Sequence, residues 1–117
     1  MRRPGVIFEP FDVVVIPFPF TEKLVTKKRP ALVVSSASFN DQHDHLILAM
    51  ITTAKRTRWV SDVELRDWES ANLTVPCKVR FKLFTLDTKL ILRHLGSLSE
   101  ADKVSVQAAI KHFLAMD

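Results

Sequence analysis

A small barrel-like β fold with helical decoration and one C-terminal helix is the architecture this sequence predicts. Three observations predict it. Short β-branched or apolar runs recur from Asp12 to Leu95, each of strand length. Prolines mark the ends of those runs, at Pro17, Pro30 and Pro76. A helical apolar stripe follows only after Gly96. The chain has 117 residues, 47% of them apolar, which suits one ordinary core, and residues 1–117 are expected to form a single domain.

The elements follow in order. Asp12–Phe18 reads as a strand that Pro17 pushes toward an edge or an end. Phe18–Lys28 reads as a polar, basic loop. Ala31–Ser35 is short enough for a buried strand, with Pro30 at its start. Ser36–Asp44 reads as a polar connection that can hold one helical turn, and Leu46–Thr53 as the third strand. Val60–Leu65 suits a half-exposed strand, and Asp67–Ala71 one helical turn with Trp68 packed inward. Lys78, Arg80 and Lys82 then alternate with Val79, Phe81 and Leu83, which predicts a strand with one basic and one apolar face. Leu90–Leu95 predicts a last strand that Gly96 ends. Ser99 and Asp102 make a capping-box pattern, and Val106, Ile110, Phe113 and Leu114 form one apolar stripe behind it.

Composition narrows the function classes. No apolar run reaches the roughly 18 residues of a membrane span, and no apolar segment of signal-peptide length follows the charged start, so a cytoplasmic location and no membrane partner are expected. Cys77 is the only cysteine, which rules out an internal disulfide and reads as a small buried hydrophobe. Seventeen Lys and Arg against 13 Asp and Glu give a net charge of +4. The cations fall into three groups: Lys27-Lys28-Arg29, Lys55-Arg56-Thr57-Arg58, and Lys78, Arg80 and Lys82. Brought together they would make a phosphate-binding surface; apart, they are solvated loop clusters, the commoner arrangement on charge alone.

Three segments, taken in order and spacing, resemble the MazF/PemK (Kid) family of toxin endoribonucleases. They are Asp12–Phe20 with Lys28–Ser35, then Ala49–Thr53, then Val75–Asp87 running on to Leu95–Ser99. The resemblance covers about residues 10 to 115. It implies an SH3-like small barrel, mainly β, with short helices and a C-terminal helix. It implies a homodimer, metal-independent cleavage of single-stranded RNA without a cofactor, and neutralisation by a cognate antitoxin. Arg29 matches the arginine of the family's Arg-Pro pair and Thr52 the first threonine after the third strand; both are catalytic candidates at the scissile phosphate. Arg80 matches a further arginine of the groove. Lys28, Thr53, Lys55, Arg56, Lys82 and Phe20 are candidates for RNA binding, and Glu22 for proton transfer.

Two positions depart from the family. Phe11 replaces the glycine that usually opens the first strand, so the turn there is expected to differ. Lys82 stands where an acidic residue is common, so proton transfer needs another group.

Metal-free RNA cleavage uses the 2′-hydroxyl as nucleophile. Its proton must be taken, the leaving 5′-oxygen protonated, and the charge on phosphorus stabilised. A guanidinium suits the last task, because it can bond two phosphate oxygens at once. A threonine can add one hydrogen bond. His43, His45 and His94 are further proton-carrier candidates by residue type. His43-Asp44-His45 would suit a metal only on a strand, and it reads as loop. Trp59 and Trp68 read as core, while Phe18 and Phe20 flank the presumed cleft and suit base stacking. The competing classes are a non-catalytic SH3-like binding protein and a CcdB-like gyrase inhibitor. The C-terminus Ala109–Asp117 lacks the aromatic motif on which the latter depends.

Overall fold

The computed structural model of the protein describes residues 7–18 and 27–115. Among them six strands form one antiparallel, curled sheet: β1 (Asp12–Phe18), β2 (Lys27–Val33), β3 (His45–Thr53), β4 (Val63–Glu64), β5 (Cys77–Asp87) and β6 (Arg93–Ser97). Their spatial order is β4-β5-β3-β2-β1-β6. Helix α1 (Ala37–His43) links β2 to β3, and α2 (Glu100–Phe113) follows β6. Two 3-10 turns, Trp68–Ala71 and Thr88–Leu90, punctuate the second half. The mainly β fold with a C-terminal helix is the one expected.

Strict alternation in β1 to β3 sends side chains to two separate cores. Val13, Leu32, Ala49 and Ile51 face one side, where they meet Val79, Leu98 and Val106. Val14, Ile16, Ala31, Val33 and Leu48 face the other, against Leu46 and Leu86. Most of these side chains are fully buried. Each large one contributes about 1.5–3 kcal/mol by leaving water. The central strands therefore read as continuous apolar runs, because both of their faces are covered.

Prolines locate a two-stranded arm. β1 and β2 pair from Val13↔Leu32 to Phe18↔Lys27. β6 pairs with β1 only between Asp12 and Val15, and β3 pairs with β2 only from Ala31 onward. Ile16–Phe18 and Lys27–Pro30 thus project beyond the sheet as a two-stranded ribbon. Pro30 lies within β2, not at its start, and tolerates its missing donor because that stretch has one neighbour.

The open edges β4 and β6 are bridged by the Trp68–Ala71 turn and α2. Gly96 sits inside β6, where an added Cβ would lie 2.9 Å from the Ala71 carbonyl oxygen. Its role is this close approach and not strand termination. Asn72 donates to the Leu95 carbonyl at 2.8 Å. Ser99 caps α2 as expected, accepting from the Asp102 N–H at 3.2 Å. The Asp102 carboxylate, 1% exposed, turns away and accepts from the Arg66 and Asp67 N–H groups, each at 2.9 Å. Half the capping box is thereby exchanged for a long-range tie that holds the turn after β4 against α2. The apolar stripe of α2 ends at Ile110; Phe113 is exposed.

Other differences have local causes. α1 spans seven residues, beyond the single turn expected, because Ser36 caps it and buried Asn40 bonds Phe8 and Ser35. β4 keeps two of the six residues expected, because Trp59–Asp62 form a turn that points Asp62 inward. Phe11 has φ 71°, the left-handed backbone that glycine takes freely. Its N–H and carbonyl are clamped by Val33 and Leu98, and its ring packs on the first core.

Candidate active site

One end of the sheet carries a cleft. On the face that holds Ile16, Ala31 and Leu48, apolar residues give way to Arg29, Met50, Thr52, Lys78 and Arg80. The register explains this: Met50 is opposite both Ala31 and Arg80, and Thr52 is opposite Lys78. The cleft runs over the end of the sheet onto Leu73, Thr74 and Val75, the segment that follows the Trp68–Ala71 turn.

Six of the residues singled out in the sequence line this cleft: Arg29, Thr52, Thr53, Arg56, Arg80 and Lys82. Phe18 lines it as well. Arg29 comes from the projecting ribbon, Thr52 and Thr53 from the end of β3, and Arg56 from the loop after it. Lys82 follows Arg80 by one alternation on β5, at a bulge: Met50 pairs with Arg80 and Ala49 with Leu83, so Phe81 and Lys82 are extra residues there. Lys28 sits one residue from Arg29, in an adjoining depression with Asn72 and Arg93. Lys55 is exposed and lines none of these depressions. Phe20 and Glu22 lie outside the described residues.

The two arginines differ. Among the described residues Arg29 has no carboxylate partner. Arg80 is engaged: its Nε is 3.0 Å from Asp62 Oδ1 and its Nη2 2.9 Å from Oδ2, and it also donates to the Thr57 carbonyl. Lys78, 3% exposed, reaches the same carboxylate at 3.3 Å and donates to the Arg56 carbonyl at 2.9 Å. The basic face expected on β5 is therefore largely spent inside the protein. Asp62 also accepts from the Trp59 N–H at 2.9 Å, and the Arg80 guanidinium lies 4.8 Å from the centre of the Trp59 ring. Burial raises the Asp62 carboxyl, but Arg80, the Trp59 N–H and Lys78 outweigh it and hold its pKa at about 2. The same contact pushes the Arg80 pKa up. Burial raises the Cys77 thiol, as befits an inert core residue.

Asp62 and Trp59, which adjoin the cleft through Arg80 and do not line it, are the pair that sequence reasoning missed. Trp59 is not core: it is 40% exposed, whereas Trp68 packs inward as expected. The available signal was one carboxylate four residues after a run of cations, Lys55 to Arg58. The histidines are not brought to the cleft. His94 pairs with Asp12 at 3.4 Å. His45 opens β3, about 23 Å along the strand from Thr52. His43 ends α1, stacked on Phe39. No carboxylate or imidazole lines the cleft among the described residues.

A curled six-stranded sheet, closed off by a C-terminal helix and carrying a cationic cleft at one end, defines a small half-barrel protein built around that cleft. The chain belongs to the family of PemK-like, MazF-like toxins of type II toxin–antitoxin systems, whose model matches residues 9–114. Solved structures agree in fold. MazF from Deinococcus radiodurans superposes with a TM-score of 0.72 at 20% identity, covering 95% of this chain and 99% of that one. A MazE–MazF structure from the same organism gives 0.74 at 18%, covering 96% and 100%. An endoribonuclease in complex with its cognate antitoxin, from a mycobacterial species, gives 0.73 at 17%, covering 95% and 96%. No curated protein matches the chain. Among the described residues no helix is long and apolar enough to cross a membrane.

Proposed function

We propose that this protein is a toxin that cuts single-stranded RNA at preferred sequences, without a metal ion. The observation that carries the reading is the meeting of Arg29 and Thr52 in one cleft with Arg56 and Lys82. Those groups are donors and cations, suited to a phosphodiester and repellent to a divalent ion. In the proposed reaction the 2′-oxygen attacks phosphorus and the bond to the 5′-oxygen breaks. The products are a 2′,3′-cyclic phosphate and a free 5′-hydroxyl. Arg29 holds the non-bridging oxygens as charge builds, and Thr52 adds one hydrogen bond. Asp62 is excluded as the base, because a carboxyl with a pKa of about 2 binds a proton too weakly near neutral pH. Glu22 remains the candidate for proton transfer.

The test uses a long mixed RNA, with EDTA present throughout, and maps new 5′ ends. Cleavage at recurrent sequences is expected, and a single 2′-deoxy sugar at a cut site should leave that site whole. An absolute need for a divalent ion, or normal cutting of the deoxy site, overturns the chemistry. The second reading is a non-catalytic RNA-binding module. It is favoured by the lack of a carboxylate or imidazole on the described cleft wall, and intact RNA bound without new ends would select it.

The proposed assembly is a homodimer. Exposed Leu90 and Leu92 lie beside the edge strand β6, leaving apolar surface and an open edge for a second copy. The proposed inhibitor is an antitoxin with an acidic segment that orders on the cationic cleft. Light scattering at micromolar concentration should give twice the chain mass, and such a segment should compete with RNA. A monomer mass, or independent binding of both ligands, contradicts this assembly.

A further inference from the structure

We propose that Trp59 is the base-stacking platform of the RNA cleft and that Asp62 and Arg80 are positioning residues that hold it there. The proposal rests on the RNA-cleaving reading above and adds to it the part that grips a base. Trp59 is 40% exposed, at the turn of a loop whose neighbours Lys55, Arg56 and Arg58 are cationic. Its position is not loose. Asp62 accepts from its N–H at 2.9 Å and grips Arg80 through two oxygens, and Arg80 lies against the indole at 4.8 Å. Asp62, 3% exposed and paired with Lys78, thus ties the Trp59 backbone and holds the Arg80 guanidinium that lies against the ring.

This arrangement also leaves Arg80 only its Nη1 for a phosphate. Its Nε and Nη2 are taken by Asp62 and the Thr57 carbonyl. Arg80 nevertheless lines the cleft, opposite Met50, two residues along β3 from Thr52. Two residues of strand span about 7 Å, close to one nucleotide step. Trp59 rests against this Arg80, so a base stacked on it would neighbour a phosphate held by Arg29 and Thr52. Stacking is tolerant of base identity but favours the larger ring systems, so Trp59 would bias which sites are cut.

Asp62 gives a test with opposite signs. On charge alone, removing a carboxylate beside a cationic cleft strengthens RNA binding. If Asp62 acts by holding Trp59, its removal weakens binding. The experiment uses the full chain carrying Trp68→Phe, so that Trp59 is its one tryptophan. The probe is a 2′-O-methyl oligoribonucleotide, which cannot be cleaved, alongside an abasic strand of the same length; a dye on each strand reports binding by anisotropy. Trp59 emission should be quenched by the oligoribonucleotide and not by the abasic strand. Trp59→Ala should weaken binding roughly 5- to 150-fold, and Trp59→Phe should restore most of it. Asp62→Asn, measured at low temperature where it stays folded, should weaken binding too. Binding with unquenched Trp59 and unchanged affinity in Trp59→Ala overturns the proposal and leaves the RNA reading standing. Tighter binding by Asp62→Asn overturns the positioning role. Failure of every variant and the parent to bind RNA overturns the RNA reading, and the proposal with it.

Discussion

Arg29→Lys should keep most RNA binding and lose roughly 10²- to 10³-fold in cleavage rate, the cost of removing one charge-assisted donor from such a site. Lysine keeps the charge, so the phosphate is still attracted. What it lacks is the planar fork that spans two oxygens. The structure makes Arg29 the informative arginine: it lines the cleft and has no carboxylate partner among the described residues, whereas Arg80 is engaged by Asp62. Single-turnover cleavage of a labelled strand, with its dissociation constant measured beside it, separates the two effects. Equal loss of binding and rate would mean that Arg29 acts in the ground state only, and an unchanged rate would remove it from the mechanism.

Asp62→Ala should destabilise the protein by roughly 3–5 kcal/mol, since it leaves Lys78 buried without its carboxylate. The acid side of the stability curve gives an independent check. The Asp62 pKa is about 2 in the folded protein against an ordinary carboxyl value of 3.8. A depressed carboxyl contributes stability that is fully present above the unfolded pKa. It is lost as pH falls from about 4 toward 2. The difference corresponds to roughly 2 kcal/mol. Urea denaturation between pH 2 and 6 should therefore show a steep loss below pH 4 in the parent and a flatter one in Asp62→Asn. Superimposable acid limbs would show that the Lys78–Asp62–Arg80 group carries no linkage. Because the loop that bears Trp59 hangs on this group, function and stability are coupled at one carboxylate.

Local pattern sufficed for much of the fold. Apolar runs located β1, β2 and β3, the alternation from Lys78 to Leu83 located β5, Ser99 located the start of α2, and the i, i+4 spacing of Val106 and Ile110 identified its buried side. Period and capping are short-range, so one sequence carries them. The gathering of Arg29, Thr52, Arg56 and Lys82 was legible only through family resemblance, because they come from three different parts of the chain. Tertiary structure alone decided the rest. Asp62 was drawn into a short strand by its alternation, yet a partner 18 residues away turned it inward. Asp102 was read as a local cap, and donors 35 and 36 residues away claimed its carboxylate. In each case a buried charge or polar group had to be satisfied, and the partner that satisfies it is set by how the sheet curls and not by the residues beside it.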